Sequence, residues 1–293
     1  MNARRAHRKL SASTTLAVRA GFITGALLLL ACGSNGKDST GGGGNPGGNP
    51  ITNQAGATGD GGFACTTTAD AGDMVSVPAG PFVMGCNDDV DKQCSDDEKP
   101  KHDVTLSAFE IDRTEVTQAA YTACISDGAC QPPSCEWNCD HPNFPAGCVT
   151  WLQANTYCQW AQKRLPTEAE WEKAARGEQG NKYPWGNGEP DCSLANLGGC
   201  GETLQDVGSA SAGASPYGAL DMAGNVVELV ADWYDEAYYG DSPASDPPGP
   251  ASGKRYSGRG GGFKSPADFV RASKRDWYDP TDTAPSLGFR CAR

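Results

Sequence analysis

The chain has 293 residues and a formal charge of −12, with 20% charged side chains, 38 glycines and 20 prolines. Such a composition favours a loop-rich globule over a helical bundle. An acidic surface repels phosphate backbones, which argues against nucleic acid as a partner.

The chain opens on a basic stretch, Arg4, Arg5, Arg8 and Lys9, followed by an apolar run from Ala20 to Ala31 that is too short to span a bilayer comfortably. Residues 1–31 therefore read as a signal peptide. The run ends in Leu29-Leu30-Ala31-Cys32, which resembles the bacterial lipobox, where cleavage exposes a cysteine for acylation. Cys32 is accordingly the expected lipid attachment site. Gly33 in place of an aspartate points to the outer membrane where the cell has one. Residues 32–62 contain almost no large apolar side chains and include the run Gly41-Gly42-Gly43-Gly44-Asn45-Pro46-Gly47-Gly48. Nothing there offsets the entropy of ordering. The segment reads as a flexible tether reaching on the order of 30 Å.

From residue 63 onward the chain is long enough to bury one sizeable core. Met74 to Gly85 alternates and is punctuated by Pro78, Gly80 and Pro81, which predicts a strand, a turn and a second strand. Val104 to Ile111 reads as one further strand. Thr117 starts a helix with Ala120, Tyr121, Cys124 and Ile125 on one face. Thr150 caps the next, in which Trp151, Ala154, Tyr157, Cys158 and Ala161 share a side. In the third, Thr167 and Glu170 match a capping box, Trp171, Ala174 and Ala175 form the inner face, and Gly177 is the stop. Glu170 is thus read as a cap and not as a catalytic acid. Asn225 to Trp233 reads as a buried strand. Arg259 and Arg290, beside glycine-rich turns, read as braces of the fold.

There are 13 cysteines; with Cys32 set aside, 12 remain, and in an exported protein an even set reads as disulfides. Near neighbours suggest Cys86 with Cys94, Cys124 with Cys130, and Cys192 with Cys200, although spacing alone leaves the connectivity open. Cys130, Cys135, Cys139 and His141 also admit a zinc reading, which an oxidising compartment disfavours.

Several segments, taken in order, resemble the formylglycine-generating enzyme, or sulfatase-modifying factor, family. They are Val77-Pro78-Ala79-Gly80 with Met84-Gly85, Asp112-Arg113-Thr114-Glu115-Val116-Thr117, Lys163-Arg164-Leu165-Pro166-Thr167-Glu168-Ala169-Glu170-Trp171-Glu172, Tyr183-Pro184-Trp185-Gly186, Asp221-Met222-Ala223-Gly224-Asn225-Val226-Val227-Glu228, Gly260-Gly261, and Gly288-Phe289-Arg290-Cys291. The resemblance covers about residues 73 to 293. It implies an irregular α+β domain of C-type-lectin-like fold across residues 63–293. It also implies a disulfide between Cys158 and Cys291.

Members of that family oxidise a protein cysteine to formylglycine with copper(I) and oxygen, using two cysteines just after the Gly-Gly motif. Soft thiolates suit copper(I). Aligned from Gly260-Gly261, the two positions here are Ser265 and Val270, so copper is not expected and the family activity is in question. A second family disulfide, near Ala175 and Arg275, is missing as a pair. The resemblance further implies a calcium site at Asp221, Gly224, Val226 and Glu228, two carboxylates and two carbonyls being suitable hard ligands. The competing reading is that Glu228 pairs with an arginine.

These features lead to the expectation of a lipid-anchored binding or structural module in the cell envelope, engaging a surface ligand or an envelope protein. Its contact candidates lie in the rewritten segment: Phe269, Arg271, Lys274, Arg275, Trp277 and Tyr278. The alternative is an oxidoreductase of the family's type working from a non-standard site. The family's iron branch needs a histidine cluster, whereas only His102 and His141 follow the signal segment. No nucleophile elbow supports a hydrolase.

Overall fold

In the computed structural model, residues 72–137 and 140–293 are described. The signal segment, Cys32, the tether, Cys65 and Cys139 lie outside them. Four short strands come first: β1 (Met74–Val77), β2 (Gly80–Met84), β3 (His102–Leu106) and β4 (Phe109–Asp112). Three helices follow, α1 (Gln118–Ser126), α2 (Trp151–Trp160) and α3 (Glu168–Arg176). The chain then runs through a long irregular stretch to β5 (Val227–Trp233), a single helical turn α4 (Tyr238–Asp241), β6 (Tyr256–Arg259), β7 (Asp276–Tyr278) and β8 (Leu287–Gly288). This is the irregular, disulfide-stapled α+β architecture expected.

β1 and β2 are consecutive but do not pair with each other. β1 runs antiparallel to β4, and β2 antiparallel to β3. The expected single strand from Val104 to Ile111 is therefore two. The ladder of β3 ends at Leu106 because its partner, Gly80, is the first residue of β2. The chain then bends at Ser107, whose amide (2.7 Å) and hydroxyl (2.9 Å) both go to Asp246, and β4 pairs with β1. The second half builds one four-stranded sheet in the order β7-β6-β5-β8, parallel only between β5 and β8.

Local capping chemistry sets the three helices. Thr117 accepts from the Ala120 amide, and Thr150 and Thr167 form reciprocal boxes with Gln153 and Glu170. Glu170 also receives both terminal nitrogens of Arg164 at 2.6 Å, which fits its reading as a cap. The inner face of α3, Trp171, Ala174 and Ala175, packs with Val75, Val77, Phe82, Val104 and Ile111. Each large aliphatic or aromatic group so buried contributes roughly 1.5–3 kcal/mol. α1 and α2 pack Tyr121, Ala154 and Tyr157 against Leu229 and Phe289.

Disulfides join Cys86 to Cys94, Cys124 to Cys130, Cys135 to Cys148, Cys158 to Cys291 and Cys192 to Cys200. The three near-neighbour pairs and the long-range pair implied by the resemblance are all present. With Cys130 and Cys135 in separate bridges, the zinc reading loses its thiolates.

Candidate functional site

α3 carries more than an apolar face. Glu168, Glu172, Lys173 and Arg176 are buried as well. Buried charge must be paired: Lys173 donates to the Pro78 and Gly80 carbonyls, Arg176 pairs with Glu172, and further partners of the two glutamates come from β6 and the segment after it. Arg259 donates to Glu168 and Glu172, and Arg275 grips Glu168 through Nε (2.8 Å) and a terminal nitrogen (3.0 Å). Burial works against the charge on Arg275, but the Glu168 carboxylate outweighs it and holds the guanidinium above its usual value. Glu172 is pulled down from the ordinary carboxylate range: burial opposes its charge, and Arg259 and Arg176 more than compensate.

After β6 the chain turns at Gly260 and Gly261, both in the left-handed region at φ +86° and +67°. The turn is also tight: a Cβ on Gly261 would lie 2.8 Å from the Phe269 carbonyl oxygen. It folds residues 262–275 back over the sheet. A cavity of about 140 Å³ opens between this segment and β6 and β7. Its floor is the backbone of Gly258 and Gly260–Gly262, and its walls include Lys264, Ser265, Phe269, Lys274, Asp276 and Tyr278.

Ser265 and Val270, the two positions that the resemblance aligns with the copper cysteines, lie at this place. The Ser265 hydroxyl accepts from the Gly262 amide at 3.0 Å. Val270 is fully buried against an apolar group that includes Tyr183, Leu197 and Ala223. Neither offers a soft donor, and every cysteine among the described residues is in a disulfide. These residues do not fit copper(I). No histidine lines the cavity either.

Calcium meets a different obstacle. Both oxygens of Glu228 are occupied: Arg290 donates at 2.6 and 2.7 Å and the Trp171 indole at 2.7 Å. The arginine pairing weighed as the competing reading is present, and with the indole it takes three of the roughly four acceptor positions of Glu228. Asp221 accepts from the Gly208 amide and sits beside the buried Glu115, whose carboxyl is pushed well above the usual range by burial and by Asp221.

The six contact candidates divide in two. Phe269 and Trp277 are each 41% exposed. Lys274 and Tyr278 line the cavity. Arg271 and Arg275, by contrast, are buried braces. Arg271 spans Asp91 and Glu98 through three bonds of 2.7 Å and donates to the Asp268 carbonyl at 2.8 Å. Their carboxylate partners lie more than 100 residues away in the chain, which is why sequence reading left them on the surface. It also missed Lys264 and Asp276 in the cavity wall; their position just after the Gly-Gly turn and at the start of β7 was the available signal. Arg255 lies 3.4 Å over the Trp277 ring, so that aromatic edge of the sheet carries a cation as well.

Residues 63–293 match the sulfatase-modifying factor enzyme 1-like domain. The chain is 33% identical to the formylglycine-generating enzyme of Thermomonospora curvata over 281 aligned residues, covering 75% of this chain and 92% of that protein. It is 32% identical to the hercynine oxygenase of Mycolicibacterium smegmatis over 262 residues, 76% of this chain but only 61% of that enzyme's length. Among solved structures, PvdO from Pseudomonas aeruginosa superposes with a TM-score of 0.64 at 29% identity, over 76% of this chain and 94% of that one.

Proposed function

Since this chain belongs to the sulfatase-modifying factor family but carries serine and valine where the family chemistry requires thiols, we propose that it is a non-catalytic binding module. One observation carries this reading: the groove keeps the family's Gly-Gly turn and framework, while Ser265 is tied to the Gly262 amide and Val270 is packed into an apolar core. Buried ion pairs at Arg271 and Arg275 now hold the segment rigid from beneath. A rigid, partly enclosed groove with few convergent polar groups suits recognition.

The sequence supports a cell-envelope setting for this module, with Cys32 lipidated and residues 32–62 as the tether. The matched relatives named for oxidation supply the alternative, an oxidoreductase working through a ligand set other than two thiols.

A peptide oxidation assay tests the reading. The purified chain, supplied with copper(I) under air, is incubated with a Cys-x-Pro-x-Arg peptide and conversion to formylglycine is followed by mass spectrometry. The expected result is no conversion above a metal-free control while an active family enzyme, run in parallel, converts. Conversion by this chain would overturn the binding-module reading.

A further inference from the structure

The chain as a whole is acidic, at −12, yet the charge facing the groove has the opposite sign. Lys264 and Lys274 both line the cavity. Neither forms an ion pair among the described residues. Lys264 lies over the Phe263 ring at 5.4 Å, and Lys274 lies over the Phe269 ring at 5.3 Å with a long contact of 3.4 Å to the Ser95 hydroxyl. Other exposed or half-buried cations, Lys101 and Arg255 among them, do meet carboxylates, whereas exposed Lys92 bonds a backbone carbonyl.

The one acid in the cavity wall does not neutralise these lysines. Asp276 accepts from the Trp277 amide at 2.9 Å and the Tyr278 hydroxyl at 3.3 Å. Two lysines against one carboxylate on the same cavity, with neither lysine in contact with that carboxylate, leave a net positive site in an acidic protein. The rest of its lining includes the glycines of the turn, Ser265, Ser286, Phe269 and Tyr278, with Val227 and the carboxylate-paired Arg259. The volume of about 140 Å³ is enough for a small ring or a short side chain, on the scale of cavities that hold benzene.

We propose that this groove binds a carboxylate-bearing ligand, with Lys264 and Lys274 as its charge partners and the Phe269 and Tyr278 rings against its apolar part. The proposal rests on the binding-module reading and gives that module a ligand class. It also means that an arginine-bearing peptide is a poor occupant, because two ammonium groups would face its guanidinium. The carboxylate has two sources of the same chemistry: a glutamate or aspartate side chain in a polypeptide, or a free organic acid.

The test uses the full chain in calorimetric titration with a blocked di-glutamate peptide, its di-glutamine twin and free glutarate. An exposed lysine–carboxylate pair contributes up to about 1 kcal/mol, and two in a partly enclosed site predict a glutamate peptide preferred about fivefold or more over its twin. The preference should shrink as salt rises, since screening acts on such pairs, and should vanish in K264Q/K274Q. K92Q, an exposed lysine change outside the cavity, should leave it intact. Glutarate binding as well as the peptide would identify a free acid as the source; binding of the peptide alone would identify a polypeptide, and either outcome supports the proposal. Equal affinity for the two twins, or no binding of any acidic probe at millimolar concentration, overturns it. The oxidation assay is run on the same preparations. Formylglycine formation would sink the binding-module reading, whereas loss of charge selectivity without formylglycine formation would sink only the ligand class.

Discussion

Arg271 provides the sharpest test of how the rewritten segment is held. Its guanidinium bridges Asp91 and Glu98, and all three side chains are buried. R271M keeps an unbranched apolar stem of similar reach and removes the charge. Two carboxylates are then left in a dry environment with no cation. Breaking a buried pair in this way costs about 3–5 kcal/mol. For a domain of this size, each kcal/mol lowers the melting midpoint by roughly 2–4 °C, so the expected fall is about 6 to 20 °C. Thermal unfolding followed by circular dichroism reads the shift, and urea unfolding reads the free energy. A second variant separates stranded charge from lost contact. Adding D91N and E98Q to R271M removes the stranded charges and should recover most of the loss, because the penalty lies in unpaired burial and not in a missing contact. A loss below about 1 kcal/mol for R271M, the range of surface substitutions and exposed pairs, would refute the buried-brace reasoning. So would a triple variant no more stable than the single one. Either result would return Arg271 to the solvent-facing contact surface that the sequence suggested.

Two further predictions concern the core. E228Q removes the charge that holds Arg290 and should destabilise the fold by about 3 kcal/mol or more in denaturant unfolding. A loss below about 1 kcal/mol would remove this pair as a brace. Asp232 is buried at the start of α3, where it accepts from the Glu168 amide at 2.8 Å. Burial, reinforced by Glu168, raises its carboxyl to about 8. A raised carboxyl binds more protons folded than unfolded, so it makes stability fall as pH rises from its unfolded value near 3.8 toward 8. D232N, which can still accept from the amide, should show a flatter profile of melting midpoint against pH across that window. Parallel profiles for the two proteins would remove Asp232 as the source.

What the sequence determined by itself is the chemistry that acts within a few residues. Thr117, Thr150 and Thr167 cap their helices because a hydroxyl three residues before a free amide satisfies it whatever the rest of the chain does. Cys86 with Cys94, Cys124 with Cys130, and Cys192 with Cys200 close loops short enough for spacing to suggest them. The ordered motifs, through their resemblance to a known family, extended this to the overall fold, to the Cys158–Cys291 bridge and to the replacement of both copper cysteines. Only the tertiary structure decided where charge is buried. Arg271 and Arg275 read as surface residues because arginine is rarely inside without a partner, and their partners, Asp91, Glu98 and Glu168, lie 180, 173 and 107 residues away. The same holds for the split of Val104–Ile111, where β3 and β4 take different partner strands, and for the pairing of Glu228 with Arg290, which follows from the approach of β8 to β5. Long-range pairing of buried polar groups leaves no periodic trace in the chain, since each group needs only one partner and that partner can come from any distance.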